Sequence, residues 1–183
     1  MNKKGFPIKK LAVLGVLAAM CIIIGYLESL MPPIFPFLPF AKLGFSNIVV
    51  LFTLIIYGIG EGFLVLGIKC LVLGLIAGNP MMIIYSLAGG LLSMFTEFLL
   101  LRLKANSLPS ISSAGGVMHG FGQIAVACIF AGSGAPFYYL PHLALFGAIA
   151  GIVTGFIVFF IVKKLPEKVI YLKQNNDKRQ VVE

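Results

Sequence analysis

His119 and Gln123 stand four residues apart in the stretch Gly116-Val117-Met118-His119-Gly120-Phe121-Gly122-Gln123, among glycines and large apolar side chains. On a helix this spacing puts an imidazole and a carboxamide on one face, one turn apart. The pair can grip a polar solute or hydrogen-bond a neighbouring helix. Asn47, Tyr85 with Ser86, and the run Tyr138-Tyr139-Leu140-Pro141-His142 are expected at a similar level, with Glu28 and Lys42 near the rim. So many polar groups in one half of an apolar chain predict a pocket whose candidate ligand contacts are Lys42, Asn47, Tyr85, His119, Gln123, Tyr139 and His142. The competing reading is that His119 and Gln123 serve neighbouring helices, with Tyr138 and Tyr139 in an interfacial belt. Lys42 and Lys69 would favour a small molecule bearing a carboxylate or phosphate, and the phenylalanines would favour a ring or isoprenoid tail.

Two further ionisable groups fall inside apolar runs. Lys69 and Glu97 are expected roughly 12 and 9 Å below one membrane surface, at 1.5 Å of rise per residue. Charges so placed are costly and usually face a cavity or one another. A neutralising pair is one expectation; substrate binding or proton coupling is the other.

Catalytic signatures are scarce. The single aspartate, Asp177, lies in the tail, so no aspartate pair can hold a magnesium diphosphate. The glycines from Gly58 to Gly67 lack the lysine and hydroxyl of a phosphate loop. His119 and His142 have no third ligand for a metal, and Cys21, Cys70 and Cys128 are isolated in apolar segments. The expectation is a protein that binds without catalysing, with no cofactor and no metal, and that draws any energy from partners.

The elements that position these residues follow from hydropathy. Of 183 residues 60% are hydrophobic and 11% charged, with a mean hydropathy of +1.05, far from soluble averages. Six segments, about 9 to 30, 44 to 58, 62 to 78, 81 to 103, 110 to 132 and 137 to 163, are apolar enough to span a bilayer. Pro32, Pro33, Pro36 and Pro39, then Gly58 and Gly60, Gly78-Asn79-Pro80, Asn106 to Pro109, and Gly132 to Pro136 break them. The linker PPIFPFLPFAK is too apolar for an open loop and is expected to cap the outer mouth of the bundle. The fold predicted is all-α: one integral membrane domain over 1–165 with six transmembrane helices, and a basic tail over 166–183.

Lys3, Lys4, Lys9 and Lys10 before the first apolar run imitate a secretory signal, but no small-residue cleavage site follows, so a retained first helix is expected. Placing both termini in the cytosol puts twelve of the fourteen Lys and Arg residues inside, leaving Lys42 and Lys69. The positive-inside rule therefore predicts amino end in and carboxyl end in. The net charge of +8 lacks the basic face with interleaved aromatics of a nucleic-acid binder, and the tail would touch anionic lipid.

Small residues at four-residue spacing let helices approach closely in lipid. Gly74 and Gly78, Gly116 and Gly120, and Gly147, Gly151 and Gly155 are expected to pack inside the bundle. For Gly15 and Ala19 a contact with another protein is equally open.

Gly25-Tyr26-Leu27-Glu28-Ser29, Lys42-Leu43-Gly44-Phe45-Ser46-Asn47-Ile48-Val49, Tyr85-Ser86-Leu87-Ala88-Gly89-Gly90, His119 to Gln123 and Tyr139-Leu140-Pro141 resemble the Gx transporter family, also called heptaprenyl diphosphate synthase component I. The resemblance covers about residues 10 to 160. That family is similar to the substrate-binding (S) components of energy-coupling factor (ECF) transporters. The resemblance implies a six-helix bundle in a bacterial cytoplasmic membrane that binds a vitamin-like, quinone-precursor or isoprenoid-related molecule. It also implies partners: an ECF coupling transmembrane subunit, met by Gly15 and Ala19, and two ATPase subunits. The alternative is a non-catalytic membrane component of heptaprenyl diphosphate or quinone biosynthesis.

Overall fold

Gly58 is the pivot of the first half of the chain. Its φ of +101° lies in a region open to glycine and costly for residues with a Cβ. It reverses the chain between α2 (Asn47–Tyr57) and α3 (Ile59–Ile76) within one residue. The Gly58 amide donates to the Leu54 carbonyl, and the Gly58 carbonyl accepts from Gly62, so each helix end is closed by the pivot itself. The computed structural model of the chain describes residues 8–31, 41–103 and 107–165. The other helices are α1 (Ile8–Leu30), α4 (Pro80–Leu103), α5 (Leu108–Ala131) and α6 (Leu140–Lys163), with a 3-10 turn over Ala135–Tyr139 before α6.

Glycine contacts give the register. A Cβ on Gly74 would meet Ile83, on Gly90 Leu66 and on Gly62 Met94, which sets α3 and α4 antiparallel. Gly89 and Gly122 set α4 against α5 in the same way, through His119 and Ala88. On the α5–α6 seam Gly116 faces Gly147, Gly151 faces Ser112, and Gly155 faces Leu108 and Pro109. There backbone meets backbone, the close approach that small-residue spacing permits. Lys10 pairs with Glu61 at one end of the α1–α3 contact and Gly25 meets Leu73 at the other, so these two helices run parallel. The path is thus up α1, down α2, up α3, down α4, up α5 and down α6. Ile8 and Lys163 lie at the same end of the bundle.

Five of the six helices among the described residues are long and apolar enough to cross a membrane. Their outward faces carry Val16, Ile23, Leu71, Leu99, Phe146 and Phe160, all exposed, an arrangement suited to lipid. The predicted second span is shorter than the expected 44–58. With 11 residues, α2 extends only ~16 Å, about half of a hydrocarbon core. The chain from Ala41 to Ser46 reaches the start of α2 without helix. Non-helical backbone is tolerated there because protein surrounds it: Gly44 and Ser46 are buried. The third and sixth helices also begin elsewhere than expected, at Ile59 and Leu140, because the Gly58 reversal is abrupt and the 3-10 turn takes the residues before Leu140. Residues 32–40 of the predicted cap, all but its Ala41 and Lys42, and the tail 166–183 lie outside the described residues, as do Lys3, Lys4 and Lys104.

Candidate functional site

A half-length α2 has one consequence for chemistry: it starts in the middle of the bundle. Asn47, its first residue, and Lys69 on α3 are each 11 positions from Gly58, so the hairpin brings them level. Lys69 Nζ donates to Asn47 Oδ1 at 2.9 Å. From the other side of the same amide, Asn47 Nδ2 lies 3.0 Å from His119 Nδ1. The second ring nitrogen, His119 Nε2, lies 3.0 Å from Gln123 Nε2, and Gln123 Oε1 accepts from the Lys42 backbone N–H at 3.2 Å. A continuous chain therefore runs from Lys69 through Asn47, His119 and Gln123 to the backbone at Lys42. His119 is 3% exposed and Gln123 1%.

Glycines make room for it. Gly44 adopts φ +85°, and a Cβ there would sit 3.0 Å from Asn47 Nδ2 and 3.1 Å from His119 Cδ2. Behind the ring, a Cβ on Gly89 would sit 2.9 Å from His119 Nδ1. The non-helical backbone draws its partners from side chains: Gly44 N–H donates to Glu28 Oε1 at 2.6 Å, and Cys21 Sγ lies 3.2 Å from the Ser46 carbonyl. At this depth such partners replace water.

The outer partner of each amide fixes which way it points. The Lys69 ammonium requires Asn47 Oδ1, and the Lys42 N–H requires Gln123 Oε1. Both NH2 groups then face one imidazole. A neutral imidazole offers a single acceptor, so either tautomer sets one amide N–H against a ring N–H. His119 also hydrogen-bonds the Gly89 backbone, so the ring N–H has an acceptor outside the two amides.

Two narrow cavities border it, each with fully open space for about one water molecule. One is lined by Glu28, Lys42, Lys69, Ser86 and His119, with Gly25 and Ser46. In it Lys42 Nζ and Glu28 Oε2 are buried without hydrogen-bond partners. Lys42 sits in the connection between α1 and α2. Burial holds its ammonium below the usual lysine value of 10.5, the Glu28 carboxylate opposes that shift, and Lys69 reinforces it. The lining carries two lysines and one glutamate, so its formal charge is +1. The other cavity lies towards the end of the bundle where α4 finishes and α5 begins, against Glu97, Ser93, Ser112 and Thr154.

Lys42, Asn47, His119 and Gln123 are thus brought together. Tyr85 and Tyr139 join a separate apolar cluster with Ile124, Ala127, Leu143 and Ala41, next to Gln123 along α5. His142 is exposed on the first turn of α6, as is Tyr138 before it, and neither lines either of these two cavities. Gly15 and Ala19 are exposed on α1, and a Cβ on Gly15 would meet nothing within 4 Å. Lys69 and Glu97, whose expected depths suggested a pair, form no ion pair within 4 Å among the described residues; Lys69 is occupied by Asn47. Glu28, Ser86 and Lys69 belong to the site beyond the seven candidates. Equal distance from Gly58 was the available signal for Lys69. Nothing in the sequence showed that Glu28 would hold the Gly44 amide.

A family model described as heptaprenyl diphosphate synthase component I matches residues 17–161. No curated protein matches the chain.

Proposed function

We propose, from the premise that the chain belongs to the heptaprenyl diphosphate synthase component I family, that it is a non-catalytic membrane subunit that captures a small molecule bearing one anionic group. The observation that carries this reading is the cationic lining, two lysines against one glutamate. Lys42 Nζ is buried with no hydrogen-bond partner, and an amide NH2 faces each ring nitrogen of His119. A carboxylate or phosphate oxygen entering the cavity would accept from Lys42 Nζ, and its charge would balance the +1 lining. Burying an unpaired ammonium costs several kcal/mol, which pairing with an anionic group would recover. Closed, the cavity is too small for such a solute, and capture requires Ala41–Ser46 to move outward on its side-chain tethers. A segment tied by one side-chain hydrogen bond each to Glu28, Gln123 and Cys21 is suited to that role.

The proposed membrane placement follows the charge distribution, with both termini cytosolic and the Lys42 cavity facing outward. Release inward would then need energy, and we assign it to partners: a coupling membrane subunit with two ATPases, as in transporters of the energy-coupling type. Gly15 and Ala19 offer the contact, since both face away from the bundle. The family description favours a second reading, an accessory subunit that presents an isoprenoid diphosphate to a soluble synthase. Affinity purification of the tagged chain in mild detergent separates the two. A coupling subunit and ATPases in the eluate, lost on Gly15→Leu, support transport; a prenyl synthase supports the second reading and would displace the first.

A further inference from the structure

We propose that the second cavity is a binding site for a monovalent metal cation of sodium's size, held by the Glu97 carboxylate with Ser93, Ser112 and Thr154. Glu97 is 2% exposed and Ser93 1%. Glu97 Oε2 and Ser93 Oγ are buried with no hydrogen-bond partner. They stand one turn apart on α4, on the same face. Across the cavity Thr154 Oγ1 donates to the Gly151 carbonyl at 3.0 Å, which leaves Ser112 Oγ to donate to Thr154 Oγ1 at 2.9 Å. Both lone pairs of Ser112 Oγ then remain unused.

The lining is therefore rich in acceptors, with the Ser93 O–H as an unspent donor among them. Asn47, which also borders it, has given its oxygen to Lys69 and points its NH2 at His119. The Lys69 charge acts on Glu97 through space but forms no ion pair with it within 4 Å. A lone carboxylate buried in an apolar bundle is strongly disfavoured unless something neutralises it. Oxygen-only surroundings select a hard cation, and one carboxylate balances one positive charge. The open space admits about one water-sized sphere, room enough for a dehydrated sodium ion, which is smaller than a water molecule. A water molecule there would satisfy the oxygens but leave the charge. Asn47 borders this cavity and belongs to the His119 network, so cation and captured solute would share a neighbour.

The test does not depend on the captured solute. Purified chain in sodium-free detergent buffer with choline chloride is titrated with ²²Na⁺. The expected result is saturable binding of one ion per chain, displaced by unlabelled sodium and not by choline. Glu97→Gln should abolish it, and Ser93→Ala should weaken it at least roughly tenfold, the range over which a supporting contact alters metal affinity. Ser93→Ala removes one hydroxyl and keeps the test sound if Glu97→Gln does not fold. Absence of saturable sodium binding to the wild-type chain, or binding unchanged in Ser93→Ala, would overturn the proposal in favour of a protonated Glu97.

Discussion

Lys69 and Asn47 meet at 2.9 Å because each lies 11 residues from the Gly58 reversal, so a lysine deep in one helix finds its partner at the start of another. That contact sets the height at which α2 begins, fixes the orientation of the Asn47 amide, and through it crowds donors around His119.

Asn47→Leu should therefore be destabilising well beyond its own size. It leaves a buried ammonium without an acceptor, a loss on the order of 3 kcal/mol. Thermal unfolding in detergent should show a Tm lowered by several degrees, and Lys69→Met added to Asn47→Leu should recover most of it. Independent, additive losses in the double variant would count against the pairing.

Two glycine substitutions should differ in sign. Gly44→Ala forces a Cβ into φ +85° and against Asn47 and His119, costing about 1–3 kcal/mol. Gly60→Ala in the first turn of α3 meets nothing within 4 Å and should be neutral or gain up to about 1 kcal/mol. Tm measurements on both variants check the contrast.

The α5–α6 seam should not tolerate volume. Gly151→Leu places a side chain against the Ser112 and Ser113 backbone and should prevent stable folding, whereas Gly15→Leu should leave Tm unchanged. Size-exclusion profiles with Tm of the two proteins separate internal packing from an outward face.

Lys42 gives a pH signature. Its value in the folded chain lies below 10.5, so between the two values the unfolded chain binds more protons, and stability rises with pH. The Tm of the wild type relative to Lys42→Met should climb as pH approaches 10.5. A constant difference would mean that the ammonium is not buried.

Much of this was legible in the sequence because membrane helices announce themselves by length and hydropathy. Gly58, Gly78 and Gly132 ended helices where expected, and Gly74, Gly116, Gly120, Gly147, Gly151 and Gly155 packed against neighbouring helices; Gly78, expected to pack with Gly74, is instead exposed in the turn with nothing within 4 Å of a Cβ. The second segment was not legible. Apolar composition runs through residues 44–58, but hydropathy does not say where hydrogen bonding turns helical, and that depended on Glu28 and Gln123 supplying partners to the backbone before Asn47. His119 and Gln123 were found together because helical spacing is local. Tyr139 and His142 share a short run, yet the 3-10 turn half-buries one and exposes the other. Lys69 and Glu97 were expected at one depth from counts along their own helices, which carry no information about the pivot that gives Lys69 to Asn47.

Native mass spectrometry of the gently purified chain shows whether the Lys42 cavity holds a solute. A small anionic molecule should stay on the wild type and be lost in Lys42→Met, with both proteins folded. A wild-type chain that carries nothing, or an adduct that survives Lys42→Met, would contradict the proposed capture.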